Sequence, residues 1–292
     1  MPMKSFNAGA FAALLAGGVA IGFAGILMRL SDVNPIASAF WRMALAAPVL
    51  WAWALVTARA DRVAGLRTEL SPIVAWSGLF FGIDLGVWHL ALHYTSVANA
   101  TLLSNLAPLF IALWLWLAHG ERFSRGFLAG MALALVGAVV LIGPSASSGG
   151  THLLGDGLGL LSTSFYAAYQ LAVKDARTSY STARLMAWST SVTAVVLLPF
   201  ALWMPGPFWP ASVAGWLSLL GLALVAQIGG QTVIAYAFAH LPASLASVSL
   251  LVQPLTAAVA ALAIFGERLG PLQLAGGALL LCGIYFSKRG HT

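Results

Sequence analysis

One motif occurs twice in this chain, with 146 positions between the copies. Pro108 is followed twelve residues later by Gly120-Glu121-Arg122, and Pro254 is followed at the same distance by Gly266-Glu267-Arg268. The match continues with Ala129, Gly130, Ala132, Leu133, Leu135 and Gly137, which recur at Ala275, Gly276, Ala278, Leu279, Leu281 and Gly283. An offset of half the 292-residue chain predicts two copies of one folding unit, residues 1–146 and 147–292.

The composition excludes a soluble protein. Hydrophobic residues make up 60% of the chain and charged residues 8%, whereas a soluble domain carries about 25% charged residues. The basic residues occur singly between apolar runs rather than in a patch, so the composition does not indicate nucleic-acid binding. Cys282 is the single cysteine and can form no internal disulfide or metal site alone. The lipid bilayer is therefore the expected environment.

Apolar runs long enough to form membrane helices recur along the chain. Their approximate bounds are 9–29, 34–58, 71–93, 97–118, 124–143, 153–175, 181–204, 211–239, 243–264 and 270–287. These runs predict an all-α integral membrane protein with ten transmembrane helices. The segment from Gly143-Pro144 to Gly149-Gly150 links the two copies.

The basic residues indicate the orientation of the predicted helices. If successive loops alternate between the two sides, eleven of the fourteen Lys and Arg residues fall on the side of the N-terminus and two, Arg29 and Arg268, on the other. Arg42 lies within helix two and is interpreted as pairing with an acid or reaching outward. This bias predicts cytoplasmic termini and a multi-pass protein of the bacterial inner membrane. Because each copy has five helices, the second copy should be inverted relative to the first.

These motifs resemble the drug/metabolite transporter superfamily, and in particular its ten-helix EamA-type members. The resemblance rests on the stretch from Ala91-Leu92 to Gly137, on its second copy at 235–283, and on Phe40-Trp41-Arg42 in helix two. It implies a central cavity lined by helices one to four and six to nine, with helices five and ten at the periphery. Within the superfamily, the aromatic-rich sequence most resembles the YddG-type exporters. That implies export of neutral and aromatic amino acids over a broad range.

Helix three carries the strongest polar candidates for a substrate site. Asp84 is the only acid near the middle of a predicted helix, and Trp88 and His89 follow on neighbouring positions. Ionisable groups at membrane depth are costly and are functional candidates for that reason. A carboxylate and an aromatic ring can both hold an ammonium group. The alternatives are that Asp84 is a structural hydrogen-bonding group and His89 a buried packing residue.

Two prolines at equivalent positions predict kinks in helices four and nine. Pro108 follows Asn105 and should free the carbonyl of Ser104, and Pro254 should do the same for Leu250. We interpret both prolines as gating positions, with Asn105 as a polar group beside the first kink. Packing geometry without a substrate contact is the alternative.

Helices six and eight carry neutral polar groups that can recognise a zwitterion. These candidates are Tyr166, Tyr169, Gln170, Gln227 and Gln231. Phenols and amides can bind a carboxylate or an ammonium without the full cost of a buried charge. The alternative is that they hold neighbouring helices together.

Taken together, these features predict a secondary transporter that exports amino acids by alternating access. A glycine-rich Walker loop and a His-Glu-x-x-His motif are both missing from the sequence, so neither ATP drive nor an enzyme is predicted, and no cofactor or metal is implied. Export of drugs or other small metabolites on the same fold is the alternative, and an integral-membrane enzyme is a remote one. The expected partners are a small-molecule substrate and the lipid bilayer, with the chain acting as a monomer.

Overall fold

The computed structural model describes residues 7–91, 94, 103–142, 153–265 and 270–291. Its first half contains α1 Ala8–Gly22, α2 Ala24–Leu30, α3 Pro35–Val56, α4 Ala58–Val63, α5 Pro72–Ala91, α6 Ala107–His119 and α7 Arg125–Ile142. Its second half contains α8 Leu153–Ala176, α9 Thr182–Trp203, α10 Val213–Gly221, a π-helix at Leu222–Gln231, α11 Thr232–Phe238, α12 Ala243–Ser249, α13 Val252–Phe265 and α14 Pro271–His291.

The protein is an all-α integral membrane protein. Each predicted apolar run contains a helix or consecutive helices within the described residues. Six of these are long and apolar enough to cross a bilayer, and α6 and α7 are shorter apolar helices. The count of ten crossings stays a prediction. The linker at 143–150, the second Gly-Glu-Arg motif and part of the segment between α5 and α6 lie outside the described residues.

Polar residues at the helix ends explain where several helices begin. The side chains of Asn7, Asn34 and Ser181 each accept a hydrogen bond from the backbone N–H three residues later. Such caps satisfy N–H groups that have no partner within the helix. Pro35 follows Asn34 at the first helical position, where its missing N–H costs nothing. Gly120 ends α6 with a positive φ of 63°.

Three membrane segments are irregular near their middle. The fourth segment turns at Asn105 and Leu106 before α6, and the ninth turns at Leu250 between α12 and α13. Residues 105 and 251 are equivalent in the repeat, so the predicted kinks occur at matching places. In the eighth segment, the π-helix at Leu222–Gln231 was not predicted. π-helices are rare, and those that do occur are frequently found at functional sites.

The fifth helices of the two halves pack directly against each other. Gly130 in α7 lies against the backbone of Ser287 in α14, and Gly283 in α14 lies against that of Ala134 in α7. A Cβ atom on Gly130 or Gly283 would overlap these neighbours. Because residue numbers rise along one helix as they fall along its neighbour, the two helices run antiparallel. The glycine spacing in α7 thus serves contact within the chain.

A similar close approach joins α5 to α9. A Cβ atom on Gly78 would lie 2.6 Å from the Cβ of Val192, and one on Gly82 would lie 2.7 Å from a methyl group of Val196. Without these side chains the two helices come close enough for the Thr193 hydroxyl to donate to the Gly78 carbonyl at 2.9 Å. This contact fixes the position of α5 relative to α9, and α5 carries Asp84.

Candidate functional site

A cavity of about 460 Å³ lies between the two halves of the chain. Binding pockets for small molecules usually have volumes of about 300–1,000 Å³. Its walls are formed by α1, α2, α3, α5, α6, α8, the π-helix, α12, α13 and the turn before α6. No residue of α7 or α14 lines it, as the expectation of peripheral fifth and tenth helices requires.

Helix seven differs from the expectation. The family resemblance implied that helix seven, which is α9 in the structure, lines the cavity. Among the described lining residues, none comes from α9. Its polar residue Thr190 instead lies behind the wall and accepts a hydrogen bond of 3.0 Å from Gln227. The reason is the close packing of α9 on α3 and α5, which separates it from the cavity.

Asp84 lies in the cavity wall and is held by one defined partner. Its side chain is 8% exposed. The hydroxyl of Ser162 in α8 donates a hydrogen bond of 2.6 Å to Oδ1. This bond joins the two halves and fixes the carboxylate, so Asp84 has both a structural contact and a place on the cavity surface.

Trp88 and His89 both line the cavity beside Asp84. Their rings meet edge to face, with centroids 5.0 Å apart. His89 Nδ1 lies 2.6 Å from the carbonyl oxygen of Leu85, one turn earlier in the same helix. Its Nε2 lies 3.4 Å from the sulfur of Met28. The imidazole is therefore held between α5 and α2, and its edge supports the Trp88 ring.

The candidates from the second half separate into two layers. Tyr166, Gln170 and Gln231 line the cavity. Tyr169 and Gln227 do not: they are 1% exposed and lie behind the wall. The Tyr169 hydroxyl accepts a hydrogen bond of 2.9 Å from Gln231, and its ring stacks on Phe81 at 4.5 Å. Both residues were expected to touch substrate, but here they support side chains that face the cavity.

Arg42 is the residue whose place the sequence did not reveal. It lines the cavity while being 7% exposed, and its guanidinium carbon lies 5.7 Å from the centre of the Phe81 ring. Its Nε donates a hydrogen bond of 3.1 Å to Gln227 Oε1. The neighbouring Trp41 packs on Trp209 and Trp216, with ring centroids 4.8 and 5.2 Å apart.

Both prolines and Asn105 lie on the cavity surface. Around Pro254 the backbone differs in one detail from the expectation. The carbonyl of Leu250 is not freed, because it accepts a hydrogen bond of 3.0 Å from the N–H of Gln253. The turn tightens to an i→i+3 bond and so satisfies the group. Gln253, which sequence reasoning passed over, consequently lines the cavity beside the kink.

The polar lining is divided unequally between the two halves. The ionisable side chains Arg29, Arg42, Asp84 and His89 all come from the first half, with Arg29 exposed at the rim. The second half supplies neutral groups such as Tyr166, Gln170, Gln231 and Gln253. At the positions equivalent to Arg42 and Asp84, the second half has Trp188 and Gly230.

Two separate parts of the chain, residues 7–143 and 153–288, match the EamA-like transporter family. The chain belongs to this family. It is similar to a pseudopaline exporter of Pseudomonas aeruginosa, with 25% identity over 72% of each chain. It is also similar to a probable terminal-alkyne amino-acid exporter of Streptantibioticus cattleyicolor, with 28% identity over 76% of this chain and 75% of that protein. The fold is similar to that of a protein of known crystal structure, with a TM-score of 0.81 and 19% identity over 97% of each chain.

This EamA family chain is therefore a multi-pass membrane transporter and not an enzyme. Small-molecule substrates follow from the same relationships.

Proposed function

We propose that this EamA family transporter exports amino acids across the inner membrane by alternating access. The observation that carries this proposal is the cavity lining, in which a buried arginine, Arg42, and a buried aspartate, Asp84, lie within a largely apolar surface. An amino acid has one carboxylate, one ammonium and a side chain of variable character. The cavity therefore offers a complement for each of its parts.

The size and the walls of the cavity agree with small neutral or aromatic amino acids. A volume of about 460 Å³ accommodates such molecules with some water. Trp88, Phe81 and Tyr166 provide aromatic surface, and Leu85 and Leu222 provide aliphatic surface. Such walls select weakly among apolar side chains, which supports a broad substrate range.

Alternating access requires a cavity that is closed at one end. The lining includes α2 and the later part of α5, which both lie at the end of the bundle away from the N-terminus. At the opposite end, Ala10 and Leu14 of α1 are completely buried. With cytoplasmic termini, as the distribution of basic residues predicts, this arrangement corresponds to a state closed towards the cytoplasm.

Export of another class of metabolite is the second candidate. A relative named as a pseudopaline exporter favours it, because that name assigns a different cargo to the same family. Phosphorylated cargo favours several Arg or Lys groups, and Arg42 is the single buried Arg or Lys in the described lining, which argues against such cargo.

Counterflow uptake tests the proposal directly. Purified protein in liposomes preloaded with unlabelled amino acid should accumulate labelled leucine or phenylalanine, and unlabelled neutral amino acids should compete. Protein-free liposomes provide the background. An imposed pH gradient then separates proton-coupled from facilitated movement. Absence of flux for every amino acid, in a preparation that is monodisperse and folded, would contradict amino-acid export and leave other metabolites as cargo.

A further inference from the structure

Arg42, a residue of the cavity wall, has a buried nitrogen that makes no hydrogen bond within the described part of the chain. Arg42 is 93% buried, yet its Nη2 has no hydrogen-bond partner among the described residues. A buried charged donor without a partner is costly, so such a group requires an explanation. Because Arg42 lines the cavity, a bound ligand can supply the missing acceptor.

We propose that Arg42 binds the carboxylate of the transported amino acid and so fixes its orientation in the cavity. This inference rests on the proposed function and adds to it the residue that binds the carboxylate and the orientation of the substrate in the cavity. Arg42 is then a substrate-binding residue that selects for carboxylate-bearing cargo.

Hydrogen bonds to neighbouring residues fix the orientation of the Arg42 guanidinium group before a ligand binds. Nε donates to Gln227 Oε1 at 3.1 Å, and Gln227 Nε2 in turn donates to the Thr190 hydroxyl at 3.0 Å. These two hydrogen bonds link α3, the π-helix and α9, and they fix one edge of the guanidinium plane. A planar guanidinium can bind a carboxylate through parallel N–H groups, which a lysine ammonium cannot do. The fixed orientation lowers the entropy lost on binding.

The opposite pole of the ligand site lies along α5. Phe81, which the guanidinium faces, and Asp84 are three residues apart and therefore lie on the same face of this helix, separated by about 4.5 Å along its axis. Asp84 is anchored by Ser162 at 2.6 Å through one of its two oxygens. Gln170 lines the cavity while 2% exposed, and its buried Oε1 accepts no hydrogen bond from the residues that the structure describes.

These groups match the ammonium of the same ligand. An ammonium donates three hydrogen bonds and is attracted by a carboxylate, an amide oxygen and an aromatic face. Asp84, Gln170 and Trp88 supply one of each on the cavity surface. Of the eight buried side-chain atoms without a hydrogen-bond partner in the described part of the chain, two belong to residues that line the cavity, Arg42 Nη2 and Gln170 Oε1. One is a donor and the other an acceptor, which is the pair that a zwitterion satisfies.

The first test uses the unmodified protein and needs no variant. Competition against labelled leucine counterflow is measured for leucine, for leucinamide, which keeps the ammonium but has no carboxylate, and for 4-methylpentanoate, which keeps only the carboxylate. Leucinamide should compete about tenfold to a hundredfold more weakly than leucine, the loss expected for a charge-assisted hydrogen bond. Equal competition by leucine and leucinamide would overturn the inference.

The second test identifies the residue. Arg42→Gln should reduce the apparent affinity for leucine about tenfold to a hundredfold and leave competition by leucinamide unchanged, so that discrimination between them is lost. Arg42→Lys keeps the charge without the planar fork and should recover part of that discrimination. If Arg42→Gln folds and still prefers leucine to leucinamide by the wild-type factor, Arg42 does not bind the carboxylate.

The outcomes also separate this inference from the proposed function. Absence of amino-acid flux in the wild-type protein overturns amino-acid export and, with it, the role given to Arg42. Normal flux with unaltered discrimination in Arg42→Gln overturns the role of Arg42 alone. If Arg42→Gln does not fold, the wild-type competition series and Arg42→Lys decide the question.

Discussion

The ammonium of Lys174 donates a hydrogen bond of 2.7 Å to the carbonyl oxygen of Phe238. A second bond of 2.8 Å reaches the carbonyl of Leu241. Phe238 is the last residue of α11 and Leu241 lies just beyond it, so the ammonium near the end of α8 binds carbonyl groups at and after the C-terminus of α11. This contact closes the bundle between α8 and the end of the eighth segment, away from the cavity.

Removing this contact should loosen the closed end. In Lys174→Met, two charge-assisted hydrogen bonds are lost while the length of the side chain is nearly kept. With Cys282 replaced by Ser and a reporter cysteine at Ala39 in the cavity wall, we expect a membrane-impermeant thiol reagent supplied from the Lys174 side to react several-fold faster than in the parent protein. Lys174→Arg keeps a cationic donor and should react more slowly than Lys174→Met. Equal rates in the parent and Lys174→Met would show that this contact does not control access.

Transport should depend on the acid and the indole of α5. Asp84→Asn removes the negative pole of the cavity, and Trp88→Ala removes aromatic surface from its wall. We expect each change to reduce counterflow about tenfold or more while the protein remains folded, as judged by its elution from a size-exclusion column. Asp156→Asn in α8 is the matched control, because Asp156 does not line the cavity. Full activity in both α5 variants would remove this helix from the substrate site.

The antiparallel contact of α7 and α14 should be intolerant of side-chain volume. A Cβ atom on Gly283 overlaps the backbone of Ala134, so Gly283→Val must separate the two helices. Overpacking of this kind costs about 1–3 kcal/mol, and we expect a lower midpoint of thermal unfolding in detergent. Gly157→Ala is the control, since the space around that helical glycine is open within 4 Å. An unchanged midpoint for Gly283→Val would show that α7 and α14 can separate at this position without loss of stability.

Asp32 should contribute stability that depends on pH. It lies between α2 and α3 and accepts hydrogen bonds of 3.1 and 2.8 Å from the backbone N–H groups of Ala211 and Ser212. The Ser212 hydroxyl, with help from these N–H groups, holds the pKa of Asp32 below its ordinary value. A carboxyl with a lowered pKa in the folded state stabilises above its unfolded pKa of about 4 and loses that effect as the pH falls through its folded value.

Comparison with Asp32→Asn isolates this contribution. At pH 7 the wild-type protein should unfold at a higher temperature than Asp32→Asn, because the carboxylate binds the N–H groups before α10 more strongly than a neutral amide does. Below about pH 4 the difference should shrink as Asp32 is protonated. A difference that is the same at pH 7 and pH 3 would exclude a role for the charge.

Periodicity and repetition predict the scaffold well because hydrophobic runs and prolines act locally. The helix bounds and the paired turns near residues 105 and 251 follow from the apolar runs and from Pro108 and Pro254. The π-helix at Leu222–Gln231 has no such local signature, and the elements it packs against, α1 and α3, lie far from it in the sequence.

The sequence also does not indicate which polar residues line the cavity and which lie behind the lining residues and hold them in place. Tyr169 and Gln170 are adjacent, yet only Gln170 reaches the cavity. Which of two neighbouring polar residues faces the cavity depends on the rotation of α8 against α5, and the stacking of Tyr169 on Phe81 fixes that rotation. Arg42 was ambiguous for a related reason. A long side chain can extend outward or inward, and the partner that directs it inward, Gln227, is 185 residues away in the chain.

The unequal division of polar groups between the halves limits how such a protein can be assembled. A protein built from two copies of the first half would have two arginines and two aspartates in the one largely apolar cavity, and like charges there would repel each other. A tandem of two second halves would put Trp188 and Gly230 where Arg42 and Asp84 now lie, and would have no fixed charge to orient a dipolar cargo. The differences between the two halves are thus a condition for a cavity that has one basic and one acidic pole.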